Sequence, residues 1–389
     1  MKKYVSIDIG GTEIKYGLID EEGQILTRSK MKTEAYKGGP SILEKAVRIV
    51  EAYQASEEIS GICISTAGMV DTEKGEIFYA APLIPQYAGT EFKDTMIQKF
   101  SLPCEVENDV NCAGLAEYMS GASKGTKASL MLTVGTGIGG CIIIDGKVYH
   151  GYSSSACEIG YMLMDGSDFQ TLGAASILSK KVAAWKDEPE EQWDGYRIFE
   201  AAKKGDEQCC RAIDEMADVL GKGIANICYV LNPEVVVLGG GIMAQEEYLA
   251  KKIAGDGEGA TALFEAKVIG AESKEQAKVL AKAIVCSNLT KTAIAGHDAN
   301  WGRILCAMGY SGAQFDPEKV DLFFESQAGK IQIIENGTAV DYSEEEATKI
   351  LSEPEVTAIA DVKMGQESAS AWGCDLTHGY IEINADYRS

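Results

Sequence analysis

Three glycine-rich turns and a few carboxylates are the parts of this sequence that could do chemistry. Asp8-Ile9-Gly10-Gly11-Thr12, with Lys15 close behind, puts small residues where a chain can approach oxygen atoms closely. Its backbone amides and the Thr12 hydroxyl suit a phosphate, and Asp8 suits a metal ion, directly or through water. A second turn, Gly135-Thr136-Gly137-Ile138-Gly139-Gly140, and a third, Gly239-Gly240-Gly241, repeat the pattern. Each alone reads equally well as a plain hairpin turn. Two that can clamp one triphosphate and a third suited to an adenine or ribose face together point to a nucleotide.

Glu107-Asn108-Asp109 is expected to end a strand and open a helix, where an aspartate is most often simply the N-cap. Set between two phosphate turns, the same carboxylate can take the proton of an attacking hydroxyl, work worth ~10²–10⁴ in rate. Glu158, in Glu158-Ile159-Gly160-Tyr161, is a candidate ligand for the hydroxyls of that substrate, with a surface turn as the alternative.

The elements that must position these groups follow from periodicity. β-branched runs at 4–9, 14–19 and 24–30 predict three adjacent antiparallel strands with the first glycines in their first turn. That order excludes the dinucleotide fingerprint, which needs a helix directly after its glycines. Helices at 41–53, 91–100 and 109–119 alternate with strands at 59–65 and 103–107. The opening then recurs: a strand at 129–134, a glycine turn at 135–140, and a hairpin of 141–144 with 147–150 closed by Asp145-Gly146. Two such copies suggest two similar α/β lobes with a cleft between them. A long helix at 206–231 and a buried strand at 234–238 precede the third glycine turn. Near 245–258 the character changes, and an α+β segment follows: strands at 262–269, 320–324 and 330–334, helices at 274–285 and 343–351, and an alternating strand at 379–384.

The 389 residues carry 36 basic and 59 acidic side chains, a formal net charge of −23 that repels phosphate backbones and anionic membranes. Nucleic acid and membrane are therefore not expected as partners, and no apolar stretch reaches the length of a membrane span. Eleven cysteines without a CxxC pair read as reduced thiols in a cytoplasm. The apolar run before Asp8 is too short for a signal peptide.

The segments DIGGT (8–12), ISTAGMVD (64–71), ENDVNCAGLAE (107–117), VGTGIGG (134–140), ACEIGYM (156–162) and NPEVVVLGGGI (232–242) resemble, in order and spacing over about residues 3–245, the ROK family of sugar kinases and repressors. The resemblance implies a two-lobed actin-like (ribonuclease-H-like) ATPase fold, ATP with magnesium, a sugar substrate and a homo-oligomer. It makes Asp109 the general base and places Asn108, Glu158 and Tyr161 against the sugar. The family often has histidine at the position of Tyr161 and a cysteine-rich zinc motif soon after; residues 158–208 hold no cysteine, so no zinc is expected. The apolar Ala81-Pro82-Leu83-Ile84-Pro85 lacks the asparagine usual in the sugar loop.

The segments GDGEGAT (255–261), DANWGR (298–303), MGYSG (308–312), AWGCDLT (371–377) and INADYRS (383–389) resemble instead the C-terminal part of the ArgJ family of glutamate and ornithine N-acetyltransferases. By that resemblance Glu258, Asn384 and Ser389 are substrate-binding positions. The family's self-cleavage sequence Ala-Thr-Met-Leu, which frees its threonine nucleophile, does not occur. The expected architecture is thus α/β: a kinase lobe at 1–120, a truncated second lobe at 121–246 and an α+β segment of the ArgJ type at 247–389. Two other readings are an acetyltransferase with a foreign front end, against which the missing nucleophile argues, and a sugar sensor of the repressor branch. For the latter, a first strand entered by Tyr4 leaves no room for an N-terminal DNA-binding domain.

Overall fold

The structure is a computed structural model, and it describes residues 1–80, 84–242, 246–255 and 257–385. The chain divides into two compact units, Met1–Ala244 and Gln245–Ser389.

In the first unit β1 (Lys3–Ile9), β2 (Glu13–Asp20) and β3 (Ile25–Lys32) form an antiparallel meander. β4 (Gly61–Thr66) runs parallel to β1 on its other side. β5 (Met69–Asp71) and β6 (Glu76–Tyr79) make a small hairpin, and β7 (Cys104–Asn108) lies parallel to β4. The sheet order is β3-β2-β1-β4-β7. Alternation decides its faces: Val5, Ile7 and Ile9 of β1 are fully buried, and the helix Gly39–Gln54 supplies Ile42, Ala46, Ile49 and Val50 to the same core, a helical spacing.

The plan then repeats. β8 (Ala128–Val134), β9 (Ile138–Ile144) and β10 (Lys147–Val148) form a second meander. β11 (Val235–Gly239) runs parallel to β8, after the long helix Glu207–Leu231. The order is β10-β9-β8-β11. The turn at Asp145-Gly146 has φ of 49° and 77°, the left-handed pair that a two-residue hairpin requires.

The second unit opens with the helix Glu246–Gly255 and builds one six-stranded sheet from β12 (Leu263–Ala271), β13 (Asp321–Ser326), β14 (Gly329–Glu335), β15 (Thr338–Ala339), β16 (Glu355–Asp361) and β17 (Glu367–Cys374). Its order is β15-β14-β13-β16-β12-β17. The helix Lys274–Cys286 buries Ala277, Leu280, Ala281 and Ile284 in the core of that unit. Asp375, almost fully buried, accepts the Thr261 N–H (2.8 Å), the Ala262 N–H (3.2 Å) and the Thr261 hydroxyl (2.6 Å), tying the end of β17 to the start of β12.

Two expectations about elements are corrected. Residues 379–384 do not form a strand but belong to the helix His378–Ala385. The Thr377 hydroxyl accepts the Gly379 N–H at its start, and β17 already occupies the edge of β12. A handful of apolar residues cannot tell a period of two from a helical one. The second glycine turn is also shorter than expected, because Gly139 and Gly140 lie inside β9. A Cβ on Gly139 would stand 2.7 Å from Val110 Cγ2, and one on Gly140 2.6 Å from Cys157 Sγ, so both glycines serve close packing.

Candidate functional site

A cavity of about 370 Å³ in the first unit gathers groups from both sheets. Asn108 and Asp109 come from the end of β7, Gly135, Thr136 and Gly137 from the turn after β8, and Gly139 and Gly140 from β9. Glu158 and Tyr161 come from the single helical turn Ile159–Tyr161 and its cap, and Gly240 from the turn after β11. A larger concavity of about 510 Å³ runs along β1, β2 and β3 and holds Asp8 and Lys15, but neither Asp109 nor Glu158. The smaller one is the candidate site because it collects the carboxylates and the second glycine turn.

Asn108, not Asp109, caps the helix Asp109–Ser120: its Oδ1 accepts the N–H groups of Val110 (2.8 Å) and Asn111 (3.2 Å), and its Nδ2 donates to the Gly68 carbonyl (3.0 Å). That frees Asp109 from the cap, although its carboxyl still accepts the Val110 N–H (2.9 Å) and interacts with the Asn108 side chain. The tip of Asp109 is open to the cleft, yet the surrounding protein mass, and then Asp8, push its carboxyl above the usual aspartate range. Glu158 is raised likewise, by burial first and by Asp109 second. The two carboxylates feel each other, and the cleft is electronegative.

The glycine turns are held from behind. The Gly10 carbonyl accepts the hydroxyl of buried Thr33 (2.6 Å) and the Thr12 carbonyl its N–H (2.9 Å), while Gly11 and Thr12 stay exposed. The Gly135 carbonyl accepts the Ala175 N–H (2.9 Å) and the Thr136 carbonyl the Ser176 hydroxyl (2.7 Å), both from the helix Ala175–Lys186. Pinned carbonyls are what a turn needs if its amides are to meet an anion. Gly10, Gly11 and Thr12 are not in the lining of the cavity. Of the third turn, Gly239 packs on Met131, its missing Cβ 2.6 Å from Met131 Cε, and a Cβ on Gly241 would meet nothing within 4 Å.

Asp8 accepts the Ser65 hydroxyl through Oδ1 (3.0 Å), and its Oδ2 lies 3.7 Å from Lys15 Nζ. Among the described residues no group of three or more His, Cys, Asp or Glu is arranged to hold a metal. Magnesium needs no such group, since it takes one or two carboxylates and completes its shell with phosphate and water, so Asp8 fits it.

Thr33, Gly68, Gln170 and Ser176 were not singled out by sequence reasoning. Gln170 lines the cavity, and its Oε1 lies 2.8 Å from where a Gly137 Cβ would stand. Only their place in three dimensions reveals them. In the second unit Glu258 sits exposed in a turn. Ala81, Pro82, Leu83 and Ser389 lie outside the described residues, as does the side chain of Asn384. Among the described residues no helix is long and apolar enough to cross a membrane.

The ROK family model matches residues 4–285 and the ArgJ family model residues 218–389. An uncharacterized Clostridium perfringens protein, CPE0188, is 52% identical over 247 residues, 64% of this chain and 84% of that one. The arginine biosynthesis bifunctional protein ArgJ of Thermotoga neapolitana is 58% identical over 143 residues, 37% of this chain; the chain spans only 36% of that protein's length. Among solved structures, the ROK hexokinase of Thermus thermophilus superposes with a TM-score of 0.57 at 29% identity, covering 64% of this chain and 86% of its own. A ROK family glucokinase of Streptomyces griseus, solved with glucose and AMPPNP, gives 0.55 at 28% identity, covering 64% and 87%.

Proposed function

The chain belongs to the ROK family and carries an ArgJ-type segment behind its kinase-like unit, and from that premise we propose that the first unit transfers the γ-phosphoryl group of ATP to a sugar hydroxyl. The observation that carries this reading is Asp109: a carboxylate relieved of capping, open to the cleft, raised in pKa and facing the same cavity as Glu158.

In this reading Glu158, Tyr161 and the Asn108 amide orient the sugar. Asp109 takes the proton of the hydroxyl that attacks, and a raised pKa makes it a stronger base than an ordinary aspartate. The hydroxyl oxygen forms its bond to the γ-phosphorus in line as the bond to ADP breaks. The Gly10 and Gly135 N–H groups close their own turns on the Glu13 and Gly137 carbonyls. Gly11 and Thr12 and, in the second turn, Thr136 and Gly137 are therefore the residues whose amides would meet the phosphates, and Gly240 allows the close approach of the nucleotide. Magnesium, held by Asp8, would supply positive charge against the phosphate oxygens.

The ArgJ-like segment is read as inactive in acetyl transfer. A threonine hydroxyl needs a nearby base to act as nucleophile, and without an Ala-Thr-Met-Leu sequence no α-amine is freed to serve. A coupled ADP-release screen against hexoses, hexosamines and N-acetylated sugars tests the kinase reading. Release above the sugar-free background with at least one sugar is expected, and background rates with every sugar would overturn it.

A further inference from the structure

Glu107 joins the two segments that carry the carboxylates of the cleft. Its Oε1 accepts the Asn108 N–H (2.8 Å) and Asn111 Nδ2 (2.9 Å), fixing the first turn of the helix led by Asp109. Its Oε2 lies 2.7 Å from His150 Nε2, which donates, since a carboxylate only accepts. The His150 carbonyl in turn accepts the Ala156 N–H (3.1 Å), closing the loop at 151–155 that leads through Cys157 into Glu158. Cys157 has a φ of 65°, a left-handed backbone that a residue other than glycine adopts only when its surroundings impose it.

Both side chains of the contact are largely shielded, 18% exposed for Glu107 and 30% for His150, so the bond between them is less screened than one on the surface. Neither residue is in the lining of the cavity. Their influence on it is therefore indirect.

We propose that Glu107 and His150 form a positioning pair that sets the spacing of Asp109 and Glu158, with one oxygen of Glu107 holding the base and the other holding the loop that delivers the sugar-binding carboxylate. This rests on the kinase reading above. Displacing reacting groups by about 1 Å can cost roughly 10²-fold in rate, so loss of the pair is expected to be visible in turnover.

The test compares His150→Ala with His150→Gln, whose amide can still donate to Glu107. His150→Ala is expected to lower kcat at least about tenfold and to raise the sugar KM, with the ATP KM within about twofold of wild type. His150→Gln is expected to recover turnover to within about threefold. An unchanged His150→Ala, or a His150→Gln as slow as His150→Ala, overturns the proposal. Should His150→Ala fail to fold, His150→Leu fills the space without donating and is read the same way. If the wild-type chain turns over no sugar, the kinase reading falls, and the pair is then judged by hydrogen exchange of the full chain. Faster exchange at both 107–112 and 156–161 in the variant supports it, and acceleration confined to 151–155 refutes it.

Discussion

In the first sheet β4 runs between β1 and β7 and buries Ile62, Ile64 and Thr66, whereas its counterpart in the second sheet, β11, pairs among the described residues with β8 alone and leaves all five residues only partly buried. The two sheets share a meander, a glycine turn between their first strands and a parallel fourth strand. They differ in the fifth: the first has β7, whose end presents Asn108 and Asp109, and the second, among the described residues, has none. A parallel strand is ordinarily buried on both faces, so an edge made of Val235, Val236, Val237 and Leu238 is an unfinished surface. In the proposed reading the proton-accepting chemistry belongs to the completed sheet. The incomplete one contributes two glycine turns, Gly135 to Gly137 and Gly240.

The contrast can be broken most forcefully at the turn after β11. Gly240 has a φ of 102°, and a Cβ there would stand 2.3 Å from the Val134 carbonyl oxygen. Gly240→Val is expected to cost about 3 kcal/mol or more, through strain and a backbone clash together. Urea denaturation checks this, and a midpoint equal to wild type would show that β11 is not docked as described.

The next effect separates the sheets directly. Ile62, beside Val5, and Val236, beside Leu130, hold matching places in the two fourth strands. Ile62→Ala should cost about 2–5 kcal/mol as a buried deletion, and Val236→Ala under about 1.5 kcal/mol because part of its surface is already wet. Equal costs would mean that β11 is as well covered as β4.

The smallest effect concerns charge. Asp109 has a folded pKa above its unfolded one, so its contribution to stability is fully present below the unfolded pKa and is lost as pH rises through the folded value. At neutral pH the ionised carboxylate therefore destabilises the fold. Asp109→Asn should melt at a higher temperature than wild type at pH 7, with the gap shrinking as pH falls through the carboxylate range. A lower melting temperature at pH 7 would show that Asp109 is held by bonds rather than exposed to repulsion.

Much of this was legible from residue types. The two meanders followed from β-branched runs and Asp145-Gly146, because local sequence decides such elements. Which residue caps the helix Asp109–Ser120 was not legible, since Asn and Asp are equally good N-caps and only geometry shows that the Asn108 oxygen reaches Val110 and Asn111. Gly139 and Gly140 looked like loop because their requirement for glycine comes from Val110 and Cys157, residues far away along the chain. Thr33 and Ser176, which pin the carbonyls of the two turns, and Gln170 in the cavity wall have no local signature at all. The segment at 379–384 alternates well enough for a strand but is helical, because so short an apolar run does not distinguish a period of two from a helical one.

The central claim, that one carboxylate at the end of the completed sheet takes the proton of the attacking hydroxyl, is tested most directly by ADP release from Asp109→Asn beside wild type, with whichever sugar supports turnover. Asparagine keeps the shape and removes the basicity, so turnover should fall by at least about 10²-fold while ATP binding, followed by calorimetry, stays near wild type. A variant that keeps more than about a tenth of wild-type turnover would contradict the assignment of Asp109 as the base.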